Sequence, residues 1–118
     1  MNSSLFFRVS VFLLFFVGLT ACSRVISPEE AANHVGENVT VEGKVFSVYI
    51  SRKDNSFLNF GGVYPKQVFM AVILARSGSE IDVRKYDQKR VSISGLVQLY
   101  KGKPEIMVKS ENQIKIMP

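Results

Sequence analysis

From Asn38 onward, apolar residues alternate with polar ones, and the alternation persists through most of the chain. In NVTVEGKVFSVYI, residues 38–50, Val39, Val41, Gly43 and Val45 share one face. The run is too long for a flat strand, and Gly43 is the expected place for a bulge. RKDNS then reads as a hairpin turn, because Asp54 and Asn55 tolerate the backbone angles it needs. FLNF is a second strand and GGVYPKQ a loop, in which Gly61 and Gly62 permit a tight path. VFMAVIL is a third strand whose unbroken apolar run predicts burial on both faces. The stretch ARSGSEIDVRKYDQK breaks the pattern; Ser79 and Asp82 are spaced like a capping box, and Ile81 and Tyr86 can face a core. RVSISGLVQLY resumes it with Val91, Ile93, Gly95, Val97 and Leu99 inward. KGK turns the chain, PEIMVK returns with Ile106 and Val108 inward, and QIKIM extends the sheet.

Before this region, SPEEAANHVG carries helix-start chemistry. Ser27 can cap, Pro28 suits the first helical position, and Glu30 completes a capping box, predicting a two-turn helix over 28–34 that Gly36 stops. His34, the only histidine, lies near its end, where a structural or solvent-facing role is the expectation.

Cys22 is the only cysteine, so it can form no intramolecular disulfide, and with one distant histidine it is too little for a zinc site. Ahead of it stand Arg8, the apolar run VSVFLLFFVGL and small residues, the layout of a secretory signal. The run falls short of the roughly 20 residues that span a bilayer. Leu19, Thr20, Ala21 and Cys22 resemble the lipobox of bacterial lipoproteins. That resemblance implies cleavage after residue 21, a diacylglyceryl group on the Cys22 sulfur and an N-acyl chain on its amino group. Two or more chains convert marginal membrane binding into stable anchoring. Residues 1–21 would then be a signal peptide, 22–27 a lipidated terminus with a short tether, and 28–118 the folded domain. Ser23, not Asp, follows the cysteine. In a Gram-negative host this implies an envelope lipoprotein sorted to the outer membrane and facing the periplasm.

Removal of residues 1–21 leaves 97 of 118, enough for one small domain. Losing Arg8 leaves 14 basic against 10 acidic side chains, an excess that suits anionic partners and is also common on inert surfaces.

The order strand, strand, strand, helix, strand, strand, with a bent first strand, is that of an OB-fold, a five-stranded Greek-key barrel. VTVEGKV, FLNFGGVYPKQVFMAVI, VSISGLVQLYKGKPEIMV and QIKI resemble the OB-fold domains of bacterial secreted proteins, some beside nuclease domains and some alone as small lipoproteins. The resemblance runs from about Val35 to Met117 and implies an all-β fold with short helices serving as a binding module. It brings no active site, because the nuclease chemistry belongs to the absent second domain. No nucleophile–base motif or phosphate-binding loop is present, so no enzyme activity, cofactor or metal is expected.

OB-folds bind on the outer face around the second and third strands, and single-strand binders combine stacking aromatics with a basic groove. If Leu58 and Phe60 point inward, Phe57 and Asn59 point out. Tyr49, Arg52 and Lys53 lie at the first turn, Tyr64 and Lys66 in the next loop, and Tyr100, Lys101 and Lys103 at the last turn. These residues fit a stacking site; they also fit ordinary barrel packing with solvated turns. The expected ligand is single-stranded nucleic acid or another linear polyanion such as an acidic glycan, the alternative being a protein or glycan partner in the envelope. Cys22→Ser is expected to abolish lipid labelling and release the protein from membranes; unchanged labelling and retention would sink the lipobox reading.

Overall fold

The computed structural model describes residues 24–78 and 81–118. Cys22, the expected signal segment and Ser79 lie outside the described residues. Among the described residues, eight strands form one sheet: β1 (Arg24–Ile26), β2 (Asn38–Lys44), β3 (Ser47–Ile50), β4 (Ser56–Phe60), β5 (Phe69–Ile73), β6 (Arg90–Tyr100), β7 (Lys103–Met107) and β8 (Ile114–Ile116). Their order is β1-β2-β6-β7-β5-β4-β3, with β8 also on β6. β1 with β2 and β5 with β7 run parallel, and the other pairs antiparallel.

β2 and β3 are two halves of one bent strand. β2 pairs with β6 as far as Lys44↔Arg90, and β3 pairs with β4 from Ser47↔Asn59. At the handover, Val45 N donates to Lys89 O at 2.9 Å and Phe46 N to Asn59 O at 2.8 Å. Within the described residues no ladder joins β2 to β3, so the sheet is not closed by hydrogen bonds, and the chain itself links these two strands. The expected bent first strand is present, but Gly43 is no bulge, since the β2–β6 register continues unbroken through Gly43↔Val91. Gly43 instead allows close packing of the 3-10 helix Pro28–His34, because a Cβ there would lie 2.5 Å from Pro28 Cγ. That helix begins as expected, with Glu30 Oε1 accepting from Ser27 N at 3.0 Å. His34 Nδ1 stands 3.1 Å from Glu37 Oε1.

The inward faces meet in one core. Val39, Val41, Val45, Leu58, Phe60, Phe69, Ala71, Ile73, Val91, Ile93, Val97 and Ile106 are all buried, and the Phe60 and Phe69 rings lie 5.3 Å apart. The ends are covered by Ala31 and by Val83 and Tyr86 of a 3-10 turn, Val83–Tyr86, whose start Asp82 caps by accepting from Arg84 N. A single α-helical turn, α1 (Ala75–Gly78), follows β5. Residues 24–26, read from the sequence as tether, form β1 and bury Ile26. Three residues carry too little pattern to announce a strand.

Leu99 departs from expectation, being 56% exposed. It shares a face with Val97, but beyond Val97 strand β6 leaves the core and continues as a hairpin with β7 through Leu99↔Pro104. Lys101 and Gly102 close that hairpin with φ of 50° and 79°, the two positive angles of a two-residue turn. Gly95 has φ +157°, and a Cβ on it would meet Ile106 Cγ2 at 2.7 Å and Gln113 Nε2 at 3.2 Å. Gly95→Leu is therefore expected to destabilise the domain by about 1 to 3 kcal/mol through overpacking. Equilibrium urea unfolding checks this, and an unchanged midpoint would contradict the packing described.

Candidate ligand-binding groove

β5 needs cover on both faces. Phe69, Ala71 and Ile73 enter the core, whereas Met70 and Val72 point to the opposite side and are still buried. What covers them is the wall of a groove of about 790 Å³ on the outer face of β3, β4, β5 and β7.

Strand register lays out its floor in two transverse rows. One row runs Ser47, Asn59, Met70, Glu105 and Gln98 from β3 to β6. Two residues along each strand, the next runs Tyr49, Phe57, Val72 and Met107. The walls come from two connections. The loop after β4 folds back through Lys66 N to Val63 O at 2.7 Å and Val68 N to Phe60 O at 2.9 Å, bringing Val63 and Tyr64 to the rim. The β6–β7 hairpin contributes Tyr100.

Of the residues expected from the sequence, Tyr49, Phe57, Asn59, Tyr64 and Tyr100 come together along this groove. Tyr49 and Phe57 form a tilted ring pair with centroids 6.0 Å apart. Tyr49, Tyr64 and Tyr100 are 58%, 54% and 48% exposed, so they are not barrel packing. The basic residues do not line it. Arg52 and Lys53 sit exposed on the first turn, Lys66 is exposed in the next loop, and Lys103 is half-buried on β7. Lys101 Nζ lies 5.4 Å from the Tyr100 ring centroid, a cation–π contact at the last turn. Among the described residues, the groove lining itself carries no cation and is mostly apolar and aromatic, with Ser47, Asn59 and Glu105 as its other polar groups.

Sequence reasoning missed the floor: Met70, Val72, Met107 and above all Glu105. Its signals were present, because a strand apolar on both faces requires a cover on the second, and Ile106 inward places Glu105 outward. Asn59 does point out, as expected, yet it is buried. Its Nδ2 donates to Ser47 Oγ at 3.2 Å and its Oδ1 has no partner. Burial pushes the Glu105 carboxyl above its ordinary value of 4.5, with no opposing charge or hydrogen bond.

These features rest on an OB-type barrel, and solved structures agree. The chain is similar to asparaginyl-tRNA synthetase from Pyrococcus horikoshii, with a TM-score of 0.52 and 16% identity over 78% of this chain and 22% of that one. Entamoeba histolytica asparaginyl-tRNA synthetase gives 0.56 and 19%, over 82% of this chain and 24% of that one. OBody AM1L10, solved bound to hen egg-white lysozyme, gives 0.56 and 18%, over 82% and 96%. The chain thus spans less than a quarter of each of these synthetases but nearly the whole OBody. No protein-family model matches the chain, and no curated protein matches it. At these identities the likeness defines the class by fold alone: a compact OB-fold module with short helices.

The raised Glu105 carboxyl has a consequence for stability. The folded state holds this proton more tightly than the unfolded chain, so stability falls as pH rises from about 4.5 through the raised value and is restored on acidification. Glu105→Gln is expected to raise Tm at neutral pH, the difference shrinking toward pH ~4. Thermal unfolding of both proteins across that range checks this; a Gln variant less stable than the parent at neutral pH would contradict it.

Proposed function

We propose that this protein is a non-catalytic, lipid-anchored envelope module whose groove binds single-stranded nucleic acid. The carrying observation is that Tyr49 with Phe57, Tyr64 and Tyr100 line one groove, with Lys101 against the Tyr100 ring. Aromatic faces stack bases of any sequence, and surrounding cations follow the phosphates. The tRNA synthetases among the structural neighbours support the reading by analogy of fold. The non-catalytic reading is supported by the polar groups of the lining, which are three phenols, one hydroxyl bonded to Asn59, one amide and one carboxylate, without an acid–base pair.

Anchoring rests on the lipobox resemblance at Cys22. β1 opens at Arg24, two residues later, and a chain reaches at most about 3.5 Å per residue. A lipid on Cys22 would hold the barrel within roughly 7 Å of its attachment point, close against the bilayer surface.

A protein partner is the second reading. It is favoured by the apolar floor of Met70, Val72 and Met107, and by OBody AM1L10, a structural neighbour bound to lysozyme.

Titration of the full-length protein in detergent with labelled single-stranded DNA and RNA at several salt concentrations separates these readings. Nucleic-acid binding should weaken with salt by a log–log slope of about −0.7 per phosphate contacted. Tyr49→Ala or Tyr100→Ala should each cost about 1 to 3 kcal/mol of binding. No binding at low salt would discard the nucleic-acid reading in favour of a protein partner.

A further inference from the structure

Asn59, Met70 and Glu105 stand side by side across β4, β5 and β7, at the bottom of the groove. Asn59 is 2% exposed and Glu105 8%. Asn59 Oδ1 has no hydrogen-bond partner. No hydrogen bond or charge offsets the burial of Glu105. Buried acceptors left without donors cost stability and are uncommon in folded proteins. One such acceptor, Asn59 Oδ1, stands in a row with a partly desolvated, partnerless Glu105 carboxyl, and both open into a groove where a ligand can bring N–H groups.

The row is flanked by rings on both sides. Tyr49 and Phe57 occupy the next row in one direction. In the other, Tyr100 lies opposite Lys103, two residues from Glu105 on β7, and Tyr64 joins the rim from the loop after β4. A flat ring entering edge-first meets aromatic faces at its sides and acceptors beneath. Asn59 and Glu105 lie two strands apart with Met70 between them, roughly 10 Å between backbones.

Resting on the nucleic-acid reading, we infer that this floor is a guanine subsite, in which N1–H and one N2–H of an unpaired guanine donate to the Glu105 carboxylate and the second N2–H donates to Asn59 Oδ1. An ionised carboxylate only accepts hydrogen bonds. Guanine is the common base whose pairing edge carries two adjacent N–H donors, and single-stranded bases are read on that edge. Adenine, cytosine, thymine and uracil each place a ring nitrogen or carbonyl lone pair against one carboxylate oxygen. The subsite gives a chemical role to two groups that the fold leaves unpaired.

The test uses full-length protein in detergent and short oligothymidylates carrying one central dG, dA, dC or deoxyinosine, followed by fluorescence anisotropy. The dG strand should bind at least about tenfold more tightly than the dA, dC and all-dT strands. Deoxyinosine, which lacks the N2 amino group, should lose most of that advantage, and 7-deaza-dG, whose pairing edge is intact, should keep it. E105Q should reduce the dG preference to within about twofold while its Tm at neutral pH stays at or above the parent value. Salt-sensitive binding that is equal for all bases, or a dG preference that survives E105Q, would overturn the guanine subsite and leave the nucleic-acid reading standing. Absence of binding to every strand at low salt would overturn both.

Discussion

The whole arrangement depends on one strand serving two ladders. At Val45 and Phe46 the chain passes from pairing with β6 to pairing with β4, and successive amides donate to Lys89 on one side and Asn59 on the other. A flat sheet of these strands would leave its apolar face in water. The bend wraps that face around Val39, Val45, Leu58, Phe60, Ile93 and Ile106, so a small domain obtains a core. The same bend carries β3, β4 and β5 together with β7 onto one outer surface, where the groove lies.

That outer surface is where folding and binding make opposing demands. Packing alone would favour apolar residues beneath the rim, as Met70 and Val72 are. Asn59 and Glu105 break the rule, and the Asn59 Oδ1 and the Glu105 carboxyl carry a desolvation cost without a compensating partner within the protein. Local choices that work against the fold concentrate at functional positions. The proposed subsite gives these two residues a ligand-dependent role.

Charge follows the same division between rim and floor. Lys and Arg at turn tips stay hydrated and attract phosphates at a distance, at little cost to stability. A cation on the floor would have been desolvated along with Glu105. Keeping the cations outside leaves the aromatic surface free for stacking and the carboxylate unpaired. If Cys22 is lipidated, β1 holds this module against the membrane without a flexible spacer.

Much of the fold was legible in the chain because alternation is a local signal. The faces of β2, β4, β5 and β7, the capping box at Ser27 and Glu30, the turns at Asp54 and Lys101–Gly102, and the two-sided burial of β5 all follow from neighbouring residues. Long-range proximity was not legible. Gly43 looked like a bulge because only the folded chain brings Pro28 against it, and Leu99 looked buried because periodicity names a face without saying where the core ends. The tyrosines could be nominated one loop at a time, yet their meeting on one groove, and the exclusion of the basic residues from its interior, required strands distant in sequence to pair in register. Glu105 was written plainly between Pro104 and Ile106. Only the register that sets it beside Met70 and Asn59, partly desolvated and without a counter-charge, makes it a candidate for recognition, because desolvation is a property of the assembled surface and not of any segment.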